Sequence, residues 1–183
     1  MKVLIGCEFT GIVWEAFTRL GHDCYSCDLI DSERSTKHIR GDILSVLSWL
    51  SWDMVIAFPP CTRLCSSGAR WWKLHPGEQE SAIALFLAIW FAPVPKIAIE
   101  NPIGVMSTVF RKPDQIVQPW QFGHGETKAT CLWLRGLPKL TPTNIVPGRV
   151  PAVHLMRPSQ YRASDRSRTY PGIAAAMANI WGR

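Results

Sequence analysis

Charge is scarce in this chain: Asp, Glu, Lys and Arg make up 19% of its 183 residues, against 47% hydrophobic residues and nine Trp. That balance excludes a disordered polymer and predicts a packed core. Long apolar runs are missing too. The longest, from Ser81 to Val94, is broken at its ends by Glu, Pro and Lys and falls short of the ~20 residues that cross a bilayer. No basic-then-apolar leader precedes the first strand pattern, and the six cysteines lack the regular loop spacing of a disulfide framework. The expectation is a cytoplasmic protein with free thiols and no membrane attachment. No repeat or linker marks a second unit, and 183 residues is one domain's worth at ~100–200 residues per domain.

What charge there is lies unevenly. From Arg135 to the end, eight Lys or Arg stand against one acid, Asp165, so the net +6 of the chain resides in its last quarter. Arg157, Arg162, Arg166 and Arg168 interleave there with Tyr161 and Tyr170, a pattern that suits a polyanion such as a phosphate backbone; a solvated basic surface is the plain alternative.

The order of elements reads as α/β. Lys2-Val3-Leu4-Ile5 is a strand, Cys7-Glu8-Phe9-Thr10-Gly11 a tight loop, and Ile12 to Leu20 a helix closed by Gly21. Asp23 to Cys27 is a second strand ending on Asp28, and Asp31 to Arg40 reads as loop. A helical pattern opens at Gly41-Asp42-Ile43, and Met54-Val55-Ile56-Ala57 is a buried strand stopping at Phe58-Pro59-Pro60-Cys61. Thr62 to Gly77 reads as a long loop, Glu78 to Phe91 as the strongest helix, and Ile97-Ala98-Ile99 as a third buried strand ending at Glu100-Asn101-Pro102. Ala129 to Leu134 is a further strand. Pro138 to Tyr170 shows no helical period and reads as extended or irregular, before a closing helix that starts at Pro171. Alternating strands and helices predict a parallel sheet with helices on both faces and a site at the carboxyl ends of the strands.

Two residues at those ends carry the sharpest chemistry. Cys61 follows two prolines at the end of a buried strand, where a thiolate is a far better nucleophile than a hydroxyl. Glu100 ends the neighbouring strand and faces the same crevice, able to hold a proton or accept a hydrogen bond from an exocyclic amine. Taken singly, Cys61 reads equally as a small buried hydrophobe and Glu100 as a cap or ion-pair partner. Cys65 is a rival nucleophile. Cys24-x-x-Cys27 with His22 lacks a second ligand pair, so no metal is expected. His124 is a candidate proton relay within a polar turn.

In order along the chain, these segments resemble the DNA cytosine-5 methyltransferases, most closely their short phage-type members. Cys7-Glu8-Phe9-Thr10-Gly11 stands where that family has its first S-adenosylmethionine loop, retaining only the last glycine of the Phe-x-Gly-x-Gly pattern. Asp28 stands at the acid that takes the ribose hydroxyls, and Gly41-Asp42-Ile43 at the Gly-Asp-Ile whose aspartate contacts adenine. Phe58-Pro59-Pro60-Cys61-Thr62 is similar to the Phe-Pro-Cys-Gln segment with the nucleophile, Ile99-Glu100-Asn101-Pro102 to the Glu-Asn-Val segment, and Ser167 to Met177 to the segment that folds back beside the cofactor. The Gln-x-Arg-x-Arg motif is absent, with Glu126, Lys128 and Thr130 in its place, and the basic stretch 135–170 stands where a target-recognition domain would be.

The resemblance implies a Rossmann-like S-adenosylmethionine-dependent sheet acting in a bacterial or phage-infected cell. It implies that Cys61, supported by Pro60, adds to carbon 6 of cytosine in DNA while Glu100 and Asn101 stabilise the adduct. Cofactor contacts fall to residues 7–11, Asp28, Asp42, Ile43 and Phe58. DNA contacts fall to Arg63, Arg70, Trp71, Lys128, Arg162, Arg166 and Arg168, with the Thr62–Gly77 loop as a lid over a flipped base. Carbon-5 methylation of a free pyrimidine nucleotide and a silent DNA-binding module are the alternatives.

Overall fold

In the computed structural model, residues 1–74 and 76–183 are described, with the side chains of Trp71, Lys73 and Pro76 outside that description. Strands β1 (Lys2–Gly6), β2 (Asp23–Asp28), β3 (His38–Arg40), β4 (Met54–Ala57), β5 (Lys96–Pro102), β6 (Gln115–Val117) and β7 (Thr130–Arg135) form one seven-stranded sheet in the order β3-β2-β1-β4-β5-β7-β6. The five strands from β3 to β5 run parallel. β7 and β6 run antiparallel to their neighbours, so the expectation of a wholly parallel sheet holds for only part of it. The chain winds outward through β2 and β3, then returns past β1 to β4, so the order reverses between β1 and β4. Ligand crevices form at the carboxyl ends of strands at such a switch.

Helices cover both faces because the parallel strands are apolar on both sides; β4 is buried at every residue. Helices α1 (Ile12–Thr18) and α7 (Pro171–Trp181) pack on one face, where Phe17, Met177 and Trp181 join Val3, Ile5 and Ile56. On the other, α2 (Ile43–Leu47) and α3 (Pro76–Trp90) bring Ile43, Val46, Phe86 and Ile89 onto Leu4, Val55, Ile97 and Ile99. Arg135 ties the end of α3 to the sheet by donating to the carbonyls of Trp90, Ala92 and Val94 at 2.6–2.8 Å, which satisfies acceptors a helix end leaves open.

The structure departs from the sequence reading in four stretches. β3 lies in the segment read as loop; Ser26 and the Ile30 carbonyl grip the His38 ring at 2.8 Å each, a tertiary pairing with no local pattern. Ser66–Leu74 winds into a 3₁₀ segment and α3 begins at Pro76, earlier than the Glu78 start expected. A short helix, α4 (Met106–Val109), follows β5, and α5 (Ala152–Leu155) and α6 (Arg162–Ser167) form within the basic stretch, which is therefore partly helical. None of these pieces is long enough to leave a clear 3.6-residue period. Among the described residues no helix is long and apolar enough to cross a membrane.

Candidate active site

A cleft of about 1290 Å³ runs along the carboxyl ends of the parallel strands. It is lined by Phe9, Asp28, Asp42, Ile43 and Leu44 at the ends of β1, β2 and β3, by Phe58, Pro60, Cys61, Cys65 and Glu100 at the ends of β4 and β5, and by His154, Ser159, Arg162 and Arg166 from the basic stretch. Cys7, Glu8, Thr10, Arg63, Arg70 and Lys128 line it too, so most residues singled out in the sequence converge on one crevice.

The first loop is bent tightly at the end of β1. Cys7 takes a left-handed φ of 56°, rare for a residue with a side chain, and Gly11 takes φ 68° at the N-cap of α1. The glycine retained from the family pattern is thus the one the backbone requires. Glu8 folds inward: its Oε1 accepts from Thr10 Oγ1 and from the Val13 amide, both at 2.9 Å, while Oε2 is buried with no partner among the described residues. Burial pushes the Glu8 carboxyl above its ordinary range despite those hydrogen bonds, and burial likewise raises the Cys7 thiol to about 12.

The neighbouring acids are held by their own turns. Asp28 Oδ1 accepts from the Ile30 amide at 3.3 Å, and Asp42 caps α2 by accepting from the Leu44 amide at 3.0 Å. Two carboxylates beside Leu29, Ile43 and Leu44 offer acceptors for hydroxyl pairs or an exocyclic amine next to an apolar surface for a flat ring. That set of acceptors, with the orphaned Glu8 oxygen on the same cleft, fits a nucleoside such as that of S-adenosylmethionine.

The Pro59-Pro60 turn is fixed from β5. Asn101 is 1% exposed and donates from Nδ2 to the Pro59 carbonyl at 2.9 Å, so it positions the turn rather than facing the cleft. Cys61 then opens a helical turn, with the Leu64 and Cys65 amides both donating to its carbonyl at 2.9 Å. Residues 103–105 clamp that turn: Ser66 N and Oγ donate to the Ile103 carbonyl at 3.0 Å, and Val105 N to the Leu64 carbonyl at 2.9 Å. Gly104 presses so closely that a Cβ there would run into the Leu64 carbonyl.

Burial raises the Glu100 carboxyl above its usual range, against the opposing pull of Lys128 and a hydrogen bond from Thr130. It thereby holds a proton more firmly than an exposed glutamate does. The neighbouring Cys65 side chain, and then burial, raise the Cys61 thiol above its ordinary value, while Cys65, beside Cys61 and with Ser67 Oγ 3.2 Å from its sulfur, is lowered.

The basic residues divide. Arg162 and Arg166 reach the cleft, with Arg162 Nε also donating to the Met156 carbonyl at 3.0 Å. Arg168 instead faces the protein, forking onto both Glu33 oxygens at 2.7 Å and lying over Phe9. Lys128 Nζ donates to the Arg168 carbonyl at 3.1 Å, and Arg63 pairs with Glu78 at 2.8 Å. Gly11 is outside the lining, and the Trp71 side chain lies outside the described residues. His124 accepts from the Gly172 amide at 3.1 Å, holding the start of α7. Ser159 and His154 were not singled out in the sequence; only the folding back of α5 and α6 brings them to the cleft.

No family model matches the chain, and no curated protein does. Solved structures do. The chain superposes on a prophage-encoded DNA modification methyltransferase from E. coli with TM-score 0.53 at 15% identity, over 86% of this chain and 55% of that one. On the Entamoeba histolytica methyltransferase EhMeth the values are 0.54 and 12%, over 80% and 57%. The chain thus spans a little over half the length of either neighbour, and what it shares with them is a Rossmann-like α/β fold.

Proposed function

We propose that this chain transfers a methyl group from S-adenosylmethionine to carbon 5 of cytosine in DNA, through a covalent adduct on Cys61, from one methyltransferase-like domain. The observation that carries the reading is the meeting of a proline-held thiol, a buried carboxyl and two nucleoside-compatible acids in one cleft. When bound, the cofactor supplies an electrophilic sulfonium methyl; Asp28, Asp42 and the loop from Cys7 to Gly11 hold it.

The chain's own residues make the base reactive. Carbon 5 of a pyrimidine is a poor nucleophile until something adds at carbon 6. The Cys61 sulfur, having given up its proton to solvent, forms that bond, while Glu100, whose proton affinity burial raises, gives a proton to ring nitrogen 3 and so neutralises the charge the addition creates. Once carbon 5 carries the methyl group, its proton leaves and the sulfur–carbon 6 bond breaks, regenerating the thiol. Arg70, Arg162 and Arg166 serve the phosphates, and a base in a duplex is flipped into the cleft at a cost of a few kcal/mol.

The test is an oligonucleotide carrying 5-fluorocytosine, which has no proton to lose at carbon 5, incubated with the protein and S-adenosylmethionine. The expected product is an adduct that survives denaturation and maps to Cys61, absent in Cys61→Ser. Trapping through Cys65, or full turnover by Cys61→Ser, overturns the mechanism. A second reading, methylation of a free pyrimidine nucleotide, is favoured by the small stretch between β7 and α7; dCMP trapped in preference to DNA selects it.

A further inference from the structure

The strand order sets the order of chemistry along the cleft. β3 leads into Asp42, β2 ends at Asp28, β1 leads into the Cys7–Gly11 loop, β4 leads into Cys61 and β5 carries Glu100, and these five strands are neighbours in that order. Adjacent strands lie ~4.8 Å apart. A cofactor with its adenine at Asp42 and its ribose at Asp28 therefore crosses the end of β1 before its sulfonium methyl comes within reach of a base on Cys61. The same sulfur bears the amino-acid tail, so the tail starts at the first loop. Glu8 is the only charged residue of that loop, and it lines the cleft although it is only 4% exposed.

The loop already contains its own anion. Glu8 Oε1 accepts from the Val13 amide and from Thr10 Oγ1, both at 2.9 Å, and the Ile12 amide donates to Thr10 Oγ1 at 3.4 Å. The first amides of α1, the groups that a strand–loop–helix unit commonly offers to a ligand's phosphate or carboxylate, are thus taken by side chains of the loop. A second anion brought here meets the Glu8 carboxylate. A cation meets what it lacks: Oε2 has no partner among the described residues. Burying a carboxylate oxygen without a donor is costly, and a donor arriving with a ligand offsets that cost.

We propose that Glu8 holds the α-ammonium of the cofactor's amino-acid tail, through the carboxylate oxygen that the loop leaves unpaired, so that the first loop selects its ligand by positive charge. This rests on the reading of the cleft as an S-adenosylmethionine site and assigns one part of that molecule to one side chain. Glu8 is here a binding residue; it takes no part in the bond changes at the base.

Calorimetry with three probes tests it: S-adenosylhomocysteine, the same molecule with hydrogen in place of its amino group, and 5′-methylthioadenosine, which lacks the tail. The wild type is expected to bind the deaminated probe at least about tenfold more weakly than S-adenosylhomocysteine, the scale of one charge-assisted hydrogen bond. Glu8→Gln keeps an oxygen for Thr10 and Val13 but sets an amide donor where Oε2 stands. It should lose about tenfold in affinity for S-adenosylhomocysteine and less than about threefold for the two probes without the ammonium. Equal binding of S-adenosylhomocysteine and its deaminated form by the wild type overturns the proposal. So does a Glu8→Gln variant that weakens all three probes alike, the mark of a residue that only shapes the loop. Should that variant fail to fold, the wild-type comparison decides. A wild type that binds none of the three overturns the cofactor reading along with the proposal, whereas binding of 5′-methylthioadenosine with no preference for the amino group overturns the proposal alone.

Discussion

The two ends of the cleft are built on different principles. The end with Asp28, Asp42 and the Cys7–Gly11 loop is carried on strand ends whose residues are buried on both faces of the sheet, and each acid is held by a backbone hydrogen bond in its own turn. Another part of the lining is carried on α5 and α6, neither of which buries a single residue. That rim is tied down by polar links: the Arg168–Glu33 fork, Lys128 on the Arg168 carbonyl and Arg162 on the Met156 carbonyl. Exposed ion pairs contribute about 0–1 kcal/mol each. The acid end is thus preformed, as suits a small ligand of constant shape. Neither α5 nor α6 contributes to the core, so that part of the lining is held by polar links.

The comparison is tested most severely where the core touches the turn that bears Cys61 and Cys65. Gly104→Ala forces a methyl group into the Leu64 carbonyl and is expected to destabilise the protein by about 1–3 kcal/mol, read as a lowered melting temperature, while displacing the turn that bears Cys61 and Cys65. An unchanged melting curve would mean the turn is as loose as the rim.

A second test concerns Asp114, which accepts from both Arg111 terminal nitrogens at 3.1 and 2.7 Å and from the Leu134 amide at 2.7 Å. Partial burial raises its pKa, but the Arg111 and Leu134 hydrogen bonds outweigh it and hold the carboxyl below the ordinary value of 3.8. A depressed acid contributes stability that is complete above the unfolded value and lost as pH falls through the folded one. Thermal melts of the wild type should therefore lose stability below about pH 4 more steeply than Asp114→Asn. At neutral pH, Asp114→Ala should cost about 2 kcal/mol, since it also leaves a guanidinium without its partner.

Smaller effects separate the two ends directly. Asp28→Ala should weaken S-adenosylmethionine binding about tenfold in calorimetry, the ~1.4 kcal/mol of a lost charged hydrogen-bond pair, with little change in melting temperature. Glu33→Gln should lower stability by less than about 1 kcal/mol yet accelerate proteolytic cleavage within residues 152–168. Replacing Arg162 and Arg166 by Gln should lower the slope of log K against log salt for DNA by about one for each arginine replaced. A rim that resists protease in Glu33→Gln would remove the contrast.

How much of this was legible beforehand varied with the kind of residue. β1, β2, β4, β5 and β7 and the closing helix follow from apolar runs bounded by Gly, Pro and acids, because burial on both faces imposes a continuous hydrophobic pattern on a strand. Cys61 and Glu100 were legible for the same reason: each stands directly after such a run, and strand ends are where this architecture opens to a ligand. Asn101 stands beside Glu100 in the sequence, but its hold on the Pro59 carbonyl joins segments 42 residues apart and leaves no local signal. β3, β6 and the pieces α4, α5 and α6 are too short to leave a period, and their partners are distant in sequence.

By itself, then, the sequence determined the order of the elements, the chemistry available at each strand end and the asymmetry of charge, since all three are properties of residue type and local spacing. Tertiary structure alone decided the reversal of direction at β7, which of the arginines face the cleft and which the protein, and the different surroundings of two chemically identical thiols. These depend on neighbours brought together only by folding, and whether a proton, a charge or a side chain is held or released is set by those neighbours.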